Sequence, residues 1–521
     1  MRAFKSYLLF TVFISGMTTL GVELSASRLL DPFFGNSLVV WASIIGLMLL
    51  YLTVGYYAGG RWADQDPRPS TLFQITAWGA FLVGLVPFVA RPVLRWSVEG
   101  LAQFDAGLLA GSFLGVLILF SFPITLLGTV SPFAIRLLLD DVEHGGNTAG
   151  SIYAISTLGS LIGTFLPVLV LIPWLGTRLT FYVFSMTLLL VSLGGLAMSK
   201  RRLALVYVAM PVILTLLNLL WAGSPIKPVP GLVFETESSY NYIQVVQLTD
   251  PDGGTWTALQ LNEGQGIHSL YNPSYGEFPL VDGVWDYFLI APYFNAPPHS
   301  PEQVGSLLVI GSAAGTISKA YSAIYGPIPI DGVEIDPEII AVGREWFDMT
   351  EPNVAVHAQD GRYFLSTTAN KYDVIGVDAY RPPYIPFQLT TVEFFQQVSD
   401  HLNDDGVVVI NAGRTATDYS LVRTLGSTMH NVFPSVYVID VPSYGSSLGN
   451  SLVVATKQPT QLENFAANAV LLQQPHLQRV IDRALNSRVW ELHDRDFVYT
   501  DDKAPVEQVI HQLIVRYMMG G

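Results

Sequence analysis

The sequence predicts a multi-domain protein with an α-helical transmembrane bundle of about seven helices, a small β-hairpin domain and a doubly wound α/β domain. Half of the 521 residues are hydrophobic and only 13% are charged, which is unusual for a soluble chain and ordinary for one partly embedded in lipid. The long apolar runs end near residue 222, and strand and helix patterns alternate from residue 305 onward. The membrane part therefore precedes the α/β part.

Composition and charge change at the same point of the chain. Residues 1–222 contain 12 Lys and Arg against 9 Asp and Glu, whereas residues 223–521 contain 15 against 33. The acidic second half disfavours nucleic acid as a partner and suits a cationic substrate, although acidic surfaces also keep domains soluble. The predicted domains are a transmembrane domain over 1–223, a Pro/Gly linker over 224–231, a β-rich region over 232–290 and an α/β domain over 291–521.

Seven stretches reach the roughly 20 apolar residues that cross a bilayer core of about 30 Å. They are 7–27, 37–59, 71–90, 107–130, 149–172, 177–198 and 203–222. The first follows MRAFK without a small-residue cleavage site, which favours a true span over a signal peptide. Pro123 and Pro132 interrupt the long run from Gly107 to Leu139, so eight spans is the alternative.

Glycines recur every four residues in two of these spans. Gly107, Gly111 and Gly115 form one series, and Gly159 and Gly163 form another. Small residues at this spacing let helix backbones approach closely, either within one bundle or between protomers. We favour packing within the bundle.

Three ionisable residues lie in or near the first span: Glu23, Arg28 and Asp31. A charge at membrane depth is costly and usually faces a partner or a water-filled cavity. Glu23 could bind a cation or line a path, or Glu23 and Arg28 could neutralise one another inside the bundle. The second interpretation is the preferred one.

Two features of the chain predict opposite orientations of the bundle in the membrane. With seven spans, the excess of Lys and Arg lies on the side of the amino terminus, which would put the soluble domain outside the cytoplasm. A domain that uses an intracellular nucleotide requires the opposite. We give the second argument more weight and expect a multi-pass protein of the cell (inner) membrane, in contact with membrane lipid, with a cytoplasmic catalytic domain.

The second half begins with a β-hairpin pattern and continues as an α/β pattern. YIQVVQL (242–248), the turn DPDGG and WTALQL (256–261) predict the hairpin. The later strands, each followed by a helical pattern or a loop, are predicted at 305–311, 329–336, 354–357, 372–378 and 406–411. Strands alternating with helices predict a doubly wound parallel sheet that binds its ligand at the carboxyl ends of the strands.

Residues suited to a nucleoside follow three of these strands. Gly311 and Gly315 bracket the first turn, where backbone must pass close to a ligand. Glu334 ends the second strand, 23 residues beyond Gly311, where an acid commonly binds ribose hydroxyls. Asp360 and Gly361 follow the third strand, where a carboxylate could accept a hydrogen bond from an adenine amino group. Each residue alone could be a turn or a helix cap; together they predict an adenosyl site.

A series of motifs resembles the spermidine synthase family. The motifs over residues 234–412, in chain order, are ETESSYNYIQVVQL, LQLNEGQGIHSLYNP, LLVIGSAAGT, VEIDPEII, AQDGRYFL, YDVIGVDAY and LTTVEFFQQV. The apolar half, with GVELSASRLLDPFFGNSLVVWASIIGLMLL and TVSPFAIRLLL, and the late TDDKAPVE look like the bacterial membrane-fused branch of that family. The resemblance covers nearly the whole chain and implies a Rossmann-like, methyltransferase-type α/β domain.

The resemblance implies a polyamine aminopropyltransferase without a prosthetic group. Decarboxylated S-adenosylmethionine, or S-adenosylmethionine itself, would be the co-substrate, and an amine would accept its aminopropyl group with release of methylthioadenosine. Glu334 would then hold the ribose, Asp360 the adenine, and Gly311 and Gly315 the glycine loop. Asp378, after the strand YDVIGVD, would accept the proton of the attacking amine.

The chain departs from the family pattern at three positions. Ala314 stands where the family has an Asp that contacts the amine of the donor, and Arg381 stands where a second Asp grips the distal amine of the acceptor. His268 replaces a substrate-binding Gln. Arg binds carboxylates or phosphates rather than ammonium groups, so these changes weaken the case for putrescine as the acceptor. They suggest a different donor tail or an anionic or lipid-borne acceptor.

Aromatic residues beside the motifs complete the predicted site. Tyr240 and Tyr380 are expected to bind substrate together with His268 and Arg381, while other aromatics, including Tyr275 and Trp285, could line the pocket or belong to the core. No metal is expected, since the nine histidines are scattered. The resemblance also implies a homodimer.

Two other functions remain open at this point: an S-adenosylmethionine-dependent methyltransferase, and a transporter or sensor with a nucleoside-binding domain.

Overall fold

The computed structural model of the protein describes most of the chain and divides it into two compact units. The described residues are 2–34, 38–101, 107–139, 145–222, 226–249, 253–262, 266–273, 280–380, 384–442, 448–495 and 497–518. The first unit consists of Met1–Pro228 and Glu235–Tyr242, and the second of Val229–Phe234 and Ile243–Gly521. The main break near residue 228 lies inside the predicted linker, and the further division at residue 290 stays a prediction.

The first unit is helical. Its helices are α1 (Arg2–Phe34), α2 (Leu38–Gln65), α3 (Pro69–Leu101), α4 (Gly107–Gly128), α5 (Val130–Leu138), α6 (Gly145–Leu166), α7 (Ile172–Ser199), α8 (Arg201–Tyr207) and α9 (Ala209–Leu220). A π-helical turn, Pro167–Leu171, joins α6 to α7. Six stretches of the described chain are long and apolar enough to cross a membrane.

The number of spans depends on how one long stretch is divided. The fifth stretch, Gly145–Ser199, contains Gly176 with φ 77° and ψ 169°, which breaks the helical path. This break falls between the predicted spans 149–172 and 177–198. The run containing Pro123 and Pro132 forms α4 and α5 and counts as a single stretch, Gly111–Leu138. The count of seven therefore stays a prediction.

The glycine series pack against other helices of the same chain. A Cβ at Gly159 would lie 2.1 Å from the Phe13 carbonyl oxygen, and one at Gly163 would lie 2.1 Å from that of Met17. Both contacts join α6 to α1. The packing expected within the bundle is thus present for these glycines, and an added methyl group would push the two backbones apart.

Arg28 pairs with Asp31 rather than with Glu23. Its guanidinium lies 3.3 Å from the Asp31 carboxylate and also donates to the carbonyl oxygens of Ser238, at 2.6 Å, and Tyr240, at 2.9 Å. Residues three apart share one face of a helix, whereas residues five apart do not. The predicted neutralisation of Glu23 by Arg28 is therefore wrong.

The hairpin strands belong to a four-stranded sheet. Its strands are β1 (Leu232–Glu237), β2 (Tyr242–Thr249), β3 (Thr255–Leu261) and β4 (Ile267–Tyr271), in the order β1-β2-β3-β4. Strands β2 and β3 pair antiparallel, as predicted, with Ile243 opposite Leu261. An isolated hairpin domain is not what forms, because two strands alone bury too little apolar surface to be stable.

The second sheet has eight strands in the order β12-β10-β11-β9-β8-β5-β6-β7. The strands are β5 (Leu307–Ile310), β6 (Ile330–Glu334), β7 (Val354–Ala358), β8 (Tyr372–Val377), β9 (Leu402–Thr415), β10 (Ser435–Asp440), β11 (Leu448–Thr456) and β12 (Arg488–Glu491). The first five run parallel and match the predicted strands, and the predicted doubly wound α/β fold is present. Strands β10, β11 and β12 pair antiparallel at one edge and were not predicted.

Helices cover both faces of this sheet. They are α10 (Thr316–Tyr325), α11 (Pro337–Trp346), α12 (Gly361–Thr367), α13 (Val392–Asp400), α14 (Ser420–Met429), α15 (Glu463–Leu471), α16 (Pro475–Asn486) and α17 (Val506–Met518), with a 3-10 helix at Val284–Phe294. Two apolar cores, one on each face, bury strands β5, β8 and β9 almost completely. The strand order reverses between β5 and β8, and open α/β sheets bind ligands at such a point.

Candidate active site

The ends of β5, β6 and β8 are tied together by backbone hydrogen bonds. The Asp378 N–H donates to the Ile310 carbonyl oxygen at 2.9 Å, and the Gly311 and Ser312 N–H groups donate to the Val333 oxygen at 2.9 and 3.1 Å. The residues that follow these strands therefore lie at one edge of the sheet. This edge brings Gly311, Glu334 and Asp378 into one region, as the motif order predicts.

Glycine is required at both ends of the loop after β5. Gly311 has φ +83°, and a Cβ there would lie 2.6 Å from the Asp378 carbonyl oxygen and from the Ala379 Cα. Gly315 has φ +88° and caps the start of α10. Between them, Ala313 also has a positive φ of 45°, which costs a residue with a Cβ about 1–2 kcal/mol. The loop thus holds a strained conformation at the end of a central strand.

Glu334 is buried and fixed by backbone donors. Its Oε2 accepts from the Ala313 N–H at 3.0 Å and its Oε1 from the Asp336 N–H at 3.1 Å. Burial raises the pKa of Glu334 to about 7, and the two hydrogen bonds oppose that shift. The carboxyl group thus connects the glycine loop to the end of β6, and each oxygen retains a second lone pair for a hydroxyl donor.

Asp360 caps a helix with one of its two oxygens. Its Oδ1 accepts from the N–H groups of Arg362, at 2.9 Å, and Tyr363, at 3.0 Å, at the start of α12. Its Oδ2 bonds to no described residue and remains available to an amino group. Gly361 is needed for packing, since a Cβ there would lie 2.3 Å from Ile310 Cγ2. Sequence reasoning offered a cap and a ligand contact as alternatives, and the geometry accommodates both.

Asp378 is half-buried, and its carboxylate lies between two neutral donors. The Trp285 indole N–H donates to its Oδ2 at 3.0 Å, and the Asn411 amide donates to its Oδ1 at 2.8 Å. The Asn450 amide in turn donates to Asn411 Oδ1 at 2.9 Å. Burial raises the pKa of Asp378 to about 7, with both hydrogen bonds opposing the shift. A carboxylate with such a pKa can accept and release a proton near neutral pH.

Sequence reasoning did not assign these orienting groups. Trp285 was only one of several aromatics, and neither Asn411 nor Asn450 was singled out. Trp285 lies 93 residues before Asp378, on the 3-10 helix, so no local pattern links the two. Asn411 offered a usable signal, because it is a polar residue in the apolar strand β9 next to β8.

Tyr380 is held against β9 rather than left free. Its hydroxyl accepts from the Gly413 N–H at 2.8 Å and lies 3.4 Å from the Asn411 carbonyl oxygen. Burial, together with the nearby Asp378 carboxylate, raises the pKa of Tyr380 well above its usual value. The side chain is therefore a neutral phenol beside the Asp378 network.

His268 lies on β4, next to the glycine loop. Its neighbour Ser269 accepts a hydrogen bond from the Ala314 N–H at 3.0 Å, which places β4 against the loop. His268 Nε2 is buried and has no partner among the described residues, and burial lowers the pKa of the ring to about 4. This imidazole is thus neutral and able to accept or donate one hydrogen bond.

The contacts of the described residues do not place Tyr240 or Arg381 at this edge of the sheet. Tyr240 belongs to the first unit, where it is 40% exposed and its carbonyl oxygen accepts from Arg28. Arg381, like Tyr275, lies outside the described residues. Ala314 is buried and presents no charged group, so the place of the expected acid is apolar.

Known proteins with similar sequences include spermidine synthases and polyamine aminopropyltransferases. The spermine/spermidine synthase domain family matches residues 301–464, which include the ends of β5 to β9. A probable polyamine aminopropyl transferase of Bifidobacterium longum is 31% identical over 320 residues, which are 55% of this chain and 65% of the relative. The chain thus spans slightly less than two thirds of that protein.

Two further relatives extend the match. The polyamine aminopropyltransferase of Synechococcus sp. is 30% identical over 227 residues, 39% of this chain and 71% of the relative. Polyamine aminopropyltransferase 2 of Aquifex aeolicus is 22% identical over 469 residues, 87% of this chain and 88% of the relative, so the likeness includes the helical unit. The glycine loop, the strand-end acids and these matches together show that the chain belongs to the spermidine synthase family of polyamine aminopropyltransferases.

Proposed function

We propose that the protein is a membrane-integrated transferase of the spermidine synthase type. It moves an aminopropyl or related group from decarboxylated S-adenosylmethionine, or from S-adenosylmethionine, to an amine and releases methylthioadenosine. The observation that carries the proposal is the half-buried Asp378 carboxyl group, which Trp285 and Asn411 orient at the point where the strand order reverses. The similarity to polyamine aminopropyltransferases supports the reaction class.

The chemistry needs a group that removes a proton from the acceptor. A protonated amine has no lone pair, and an amine nitrogen becomes strongly acidic as it bonds to carbon. In the transfer, the nitrogen forms a bond to the donor carbon while the carbon–sulfur bond breaks, and the sulfonium becomes a neutral thioether. The proton goes to Asp378, whose pKa of about 7 suits a general base near neutral pH. Correct positioning of the amine supplies much of the remaining acceleration.

The strand ends provide contacts for the nucleoside of the donor. Glu334 would accept hydrogen bonds from the ribose hydroxyls, and Asp360 Oδ2 would accept one from the adenine amino group. Gly311 and Gly315 allow the loop after β5 to approach the ligand without a side chain between them. These assignments fit the free lone pairs of both carboxyl groups.

The recognition of the donor tail and the acceptor differs from the family pattern. Ala314 offers no charge to an ammonium group, and Arg381 would bind a carboxylate or phosphate. The neutral His268 ring beside the glycine loop would contact the substrate, as would Tyr380. A polyamine or a lipid-borne amine could be the acceptor. On the donor side, Ala314 and Arg381 suit the intact tail of S-adenosylmethionine, which carries a carboxylate.

The first unit would hold the enzyme in the membrane. Its apolar helices support a multi-pass protein of the cell membrane, in contact with lipid. An intracellular co-substrate favours a cytoplasmic catalytic domain, and a homodimer follows from the family resemblance.

Product analysis with the detergent-purified full-length protein tests the proposal. Each donor is incubated with a mixed pool of amines and lipids, and mass spectrometry identifies the products. We expect methylthioadenosine and an amine that has gained an aminopropyl or aminocarboxypropyl group. S-adenosylhomocysteine with a methylated product would contradict the proposal.

The Asp378→Asn variant tests the role of the base. We expect its turnover to fall by about a hundredfold or more, because general-base catalysis contributes about 10²–10⁴-fold. Its affinity for methylthioadenosine, measured by calorimetry, should stay close to that of the wild type. The exposed Asp400→Asn variant is the matched control and should retain full turnover. Full activity in Asp378→Asn would exclude Asp378 as the base.

A further inference from the structure

A cavity of about 350 Å³ lies at the edge of the large sheet opposite to Asp378. Its lining includes Asp373, the second residue of β8, and Asp404 and Asp405, near the start of β9. Asp378 follows the last residue of β8, five residues beyond Asp373. At about 3.3 Å per residue the two carboxylates are separated by about 16 Å along the strand, so this cavity is distinct from the candidate active site.

The cavity is acidic, and no described cation forms an ion pair with its carboxylates. The Asp373 carboxylate accepts from the Gly305 N–H at 2.8 Å, the Ser306 hydroxyl at 3.1 Å and the Asn403 amide at 2.7 Å, all of them neutral donors. Asp404 and Asp405 are exposed. Among the described residues, no Lys or Arg forms an ion pair with these three carboxylates.

Lys457 is held by a backbone carbonyl oxygen at the start of β9. The Lys457 ammonium group donates to the Leu402 carbonyl oxygen at 2.6 Å. Three aspartates that line one cavity attract a positively charged ligand, and they do so more strongly where low-dielectric walls limit screening by water.

A buried histidine, whose ring nitrogens have no partner in the described part of the chain, also lines this cavity. His299 is only 7% exposed, and neither of its ring nitrogens bonds to a described residue; its backbone N–H donates to Asn468. Its ring packs edge-on against Tyr293, with ring centroids 6.1 Å apart. Burial lowers the pKa of His299, although Asp405 and Asp373 oppose the shift. The ring is therefore neutral at pH 7 and has one nitrogen that can accept an N–H bond.

We propose that this cavity is a second binding site, for an organic ammonium compound with a short aliphatic chain. Asp373, Asp404 and Asp405 supply the negative charge, and His299 accepts a hydrogen bond from the ammonium group. Pro292 and Val304 line the same cavity and provide apolar contact for methylene groups. A divalent metal fits less well, because the described residues contain no group of three or more His, Asp or Glu side chains that could hold an ion. The site is independent of turnover at Asp378.

A cysteine placed in the cavity can report its occupancy, since the natural chain has no cysteine. Gln303 is exposed and lines the cavity, so a Gln303→Cys variant of the full-length protein can be labelled there with a maleimide. The probe is 1,4-diaminobutane, with 1,4-butanediol as a neutral molecule of the same length and sodium chloride at matched ionic strength. Glu345→Cys, exposed on α11 and outside the lining, is the control position.

We expect the diamine to slow labelling at Gln303→Cys and not at Glu345→Cys. At about ten times its dissociation constant, it should slow labelling about tenfold, because the unliganded fraction falls as 1/(1 + [L]/Kd). Adding Asp404→Asn and Asp405→Asn should raise the dissociation constant of the diamine about tenfold, since two charge contacts are lost. The same diamine concentration should then slow labelling only about twofold. The Asp378→Asn substitution should leave the protection unchanged.

Three results would overturn the proposal. Equal protection by 1,4-butanediol or sodium chloride would show that the ammonium groups are not recognised. Protection by magnesium chloride but not by the diamine would identify a metal site instead. Loss of protection in Asp378→Asn would place the bound diamine in the catalytic site. None of these measurements requires turnover, so they are separate from the test of the transferase activity.

Discussion

At the scale of single residues, the environment of Asp378 determines when it can act as a base. Burial disfavours the charged carboxylate and raises its pKa to about 7, whereas the Trp285 and Asn411 donors favour the charged form. The active form is deprotonated, so kcat/KM should increase as the pH rises through about 7. Below that pH the protonated carboxyl group cannot accept the proton of the amine.

Replacing Trp285 with phenylalanine should move this limb of the pH profile. The variant loses an N–H that stabilises the carboxylate, so the pKa of Asp378 rises further and the limb shifts upward by about one pH unit. The measurement is kcat/KM between pH 5.5 and 9. Trp346→Phe is a matched control, because the buried Trp346 indole N–H has no partner among the residues that the structure describes. If Trp285→Phe and the wild type have the same pH profile, this hydrogen bond does not affect the pKa of Asp378.

The acids of the site could be predicted from sequence, but their orienting partners could not. Glu334 and Asp378 directly end or follow apolar strands, and such positions meet at one edge of a parallel sheet. Trp285 reaches Asp378 across 93 residues, and Asn450 reaches Asn411 across 39, from an antiparallel strand. These contacts depend on tertiary packing, which a local pattern does not contain. The role of Arg381 stays a prediction, since it lies outside the described residues.

At the scale of secondary-structure elements, periodicity predicted the parallel strands well. Each is a short apolar run flanked by turn residues, and its position agrees with the sequence to within a few residues. The antiparallel strands β10 to β12 are also apolar, but the direction in which an edge strand pairs is set by its connections rather than by its residue pattern. The fourfold glycine spacing indicated close helix packing, which α1 and α6 show.

Gly311→Ala should destabilise the strand–turn–helix unit of the glycine loop. The new Cβ meets the backbone of Asp378 and Ala379 at 2.6 Å in addition to the strain of a positive φ, for a total cost of about 3 kcal/mol. Gly253 has a φ of +85°, and no described atom would lie within 4 Å of a Cβ there, so Gly253→Ala isolates the strain at about 1 kcal/mol. Apparent melting temperatures from tryptophan fluorescence compare the two. Equal losses would mean that the close approach to Asp378 has no energetic consequence.

Gly163→Ala should loosen the contact between α6 and α1. The added Cβ would meet the Met17 carbonyl oxygen at 2.1 Å, and such overpacking costs about 1–3 kcal/mol. Gly150 lies on the same helix with nothing within 4 Å, so Gly150→Ala should be neutral or slightly stabilising. The melting temperature in detergent measures both changes. A Gly163→Ala protein as stable as Gly150→Ala would contradict the packing described for this helix pair.

At the scale of the whole molecule, the sequence predicted a helical apolar half and an acidic α/β half, and the chain divides into two compact units near residue 228. Hydropathy identifies apolar runs but not where a continuous helix turns, so the count of spans depends on the break at Gly176. The hairpin's membership in a four-stranded sheet was not predicted, because β4 is a short run whose pairing with β3 has an irregular register. Orientation and oligomeric state stay predictions.

The most direct test of the proposed nucleoside site is a density map of the full-length protein bound to methylthioadenosine. The ribose hydroxyls should lie within hydrogen-bond distance of Glu334, and the adenine amino group should face Asp360. The thioether sulfur should lie on the side of Asp378. A nucleoside bound away from both Glu334 and Asp360, or out of reach of Asp378, would contradict the proposed site.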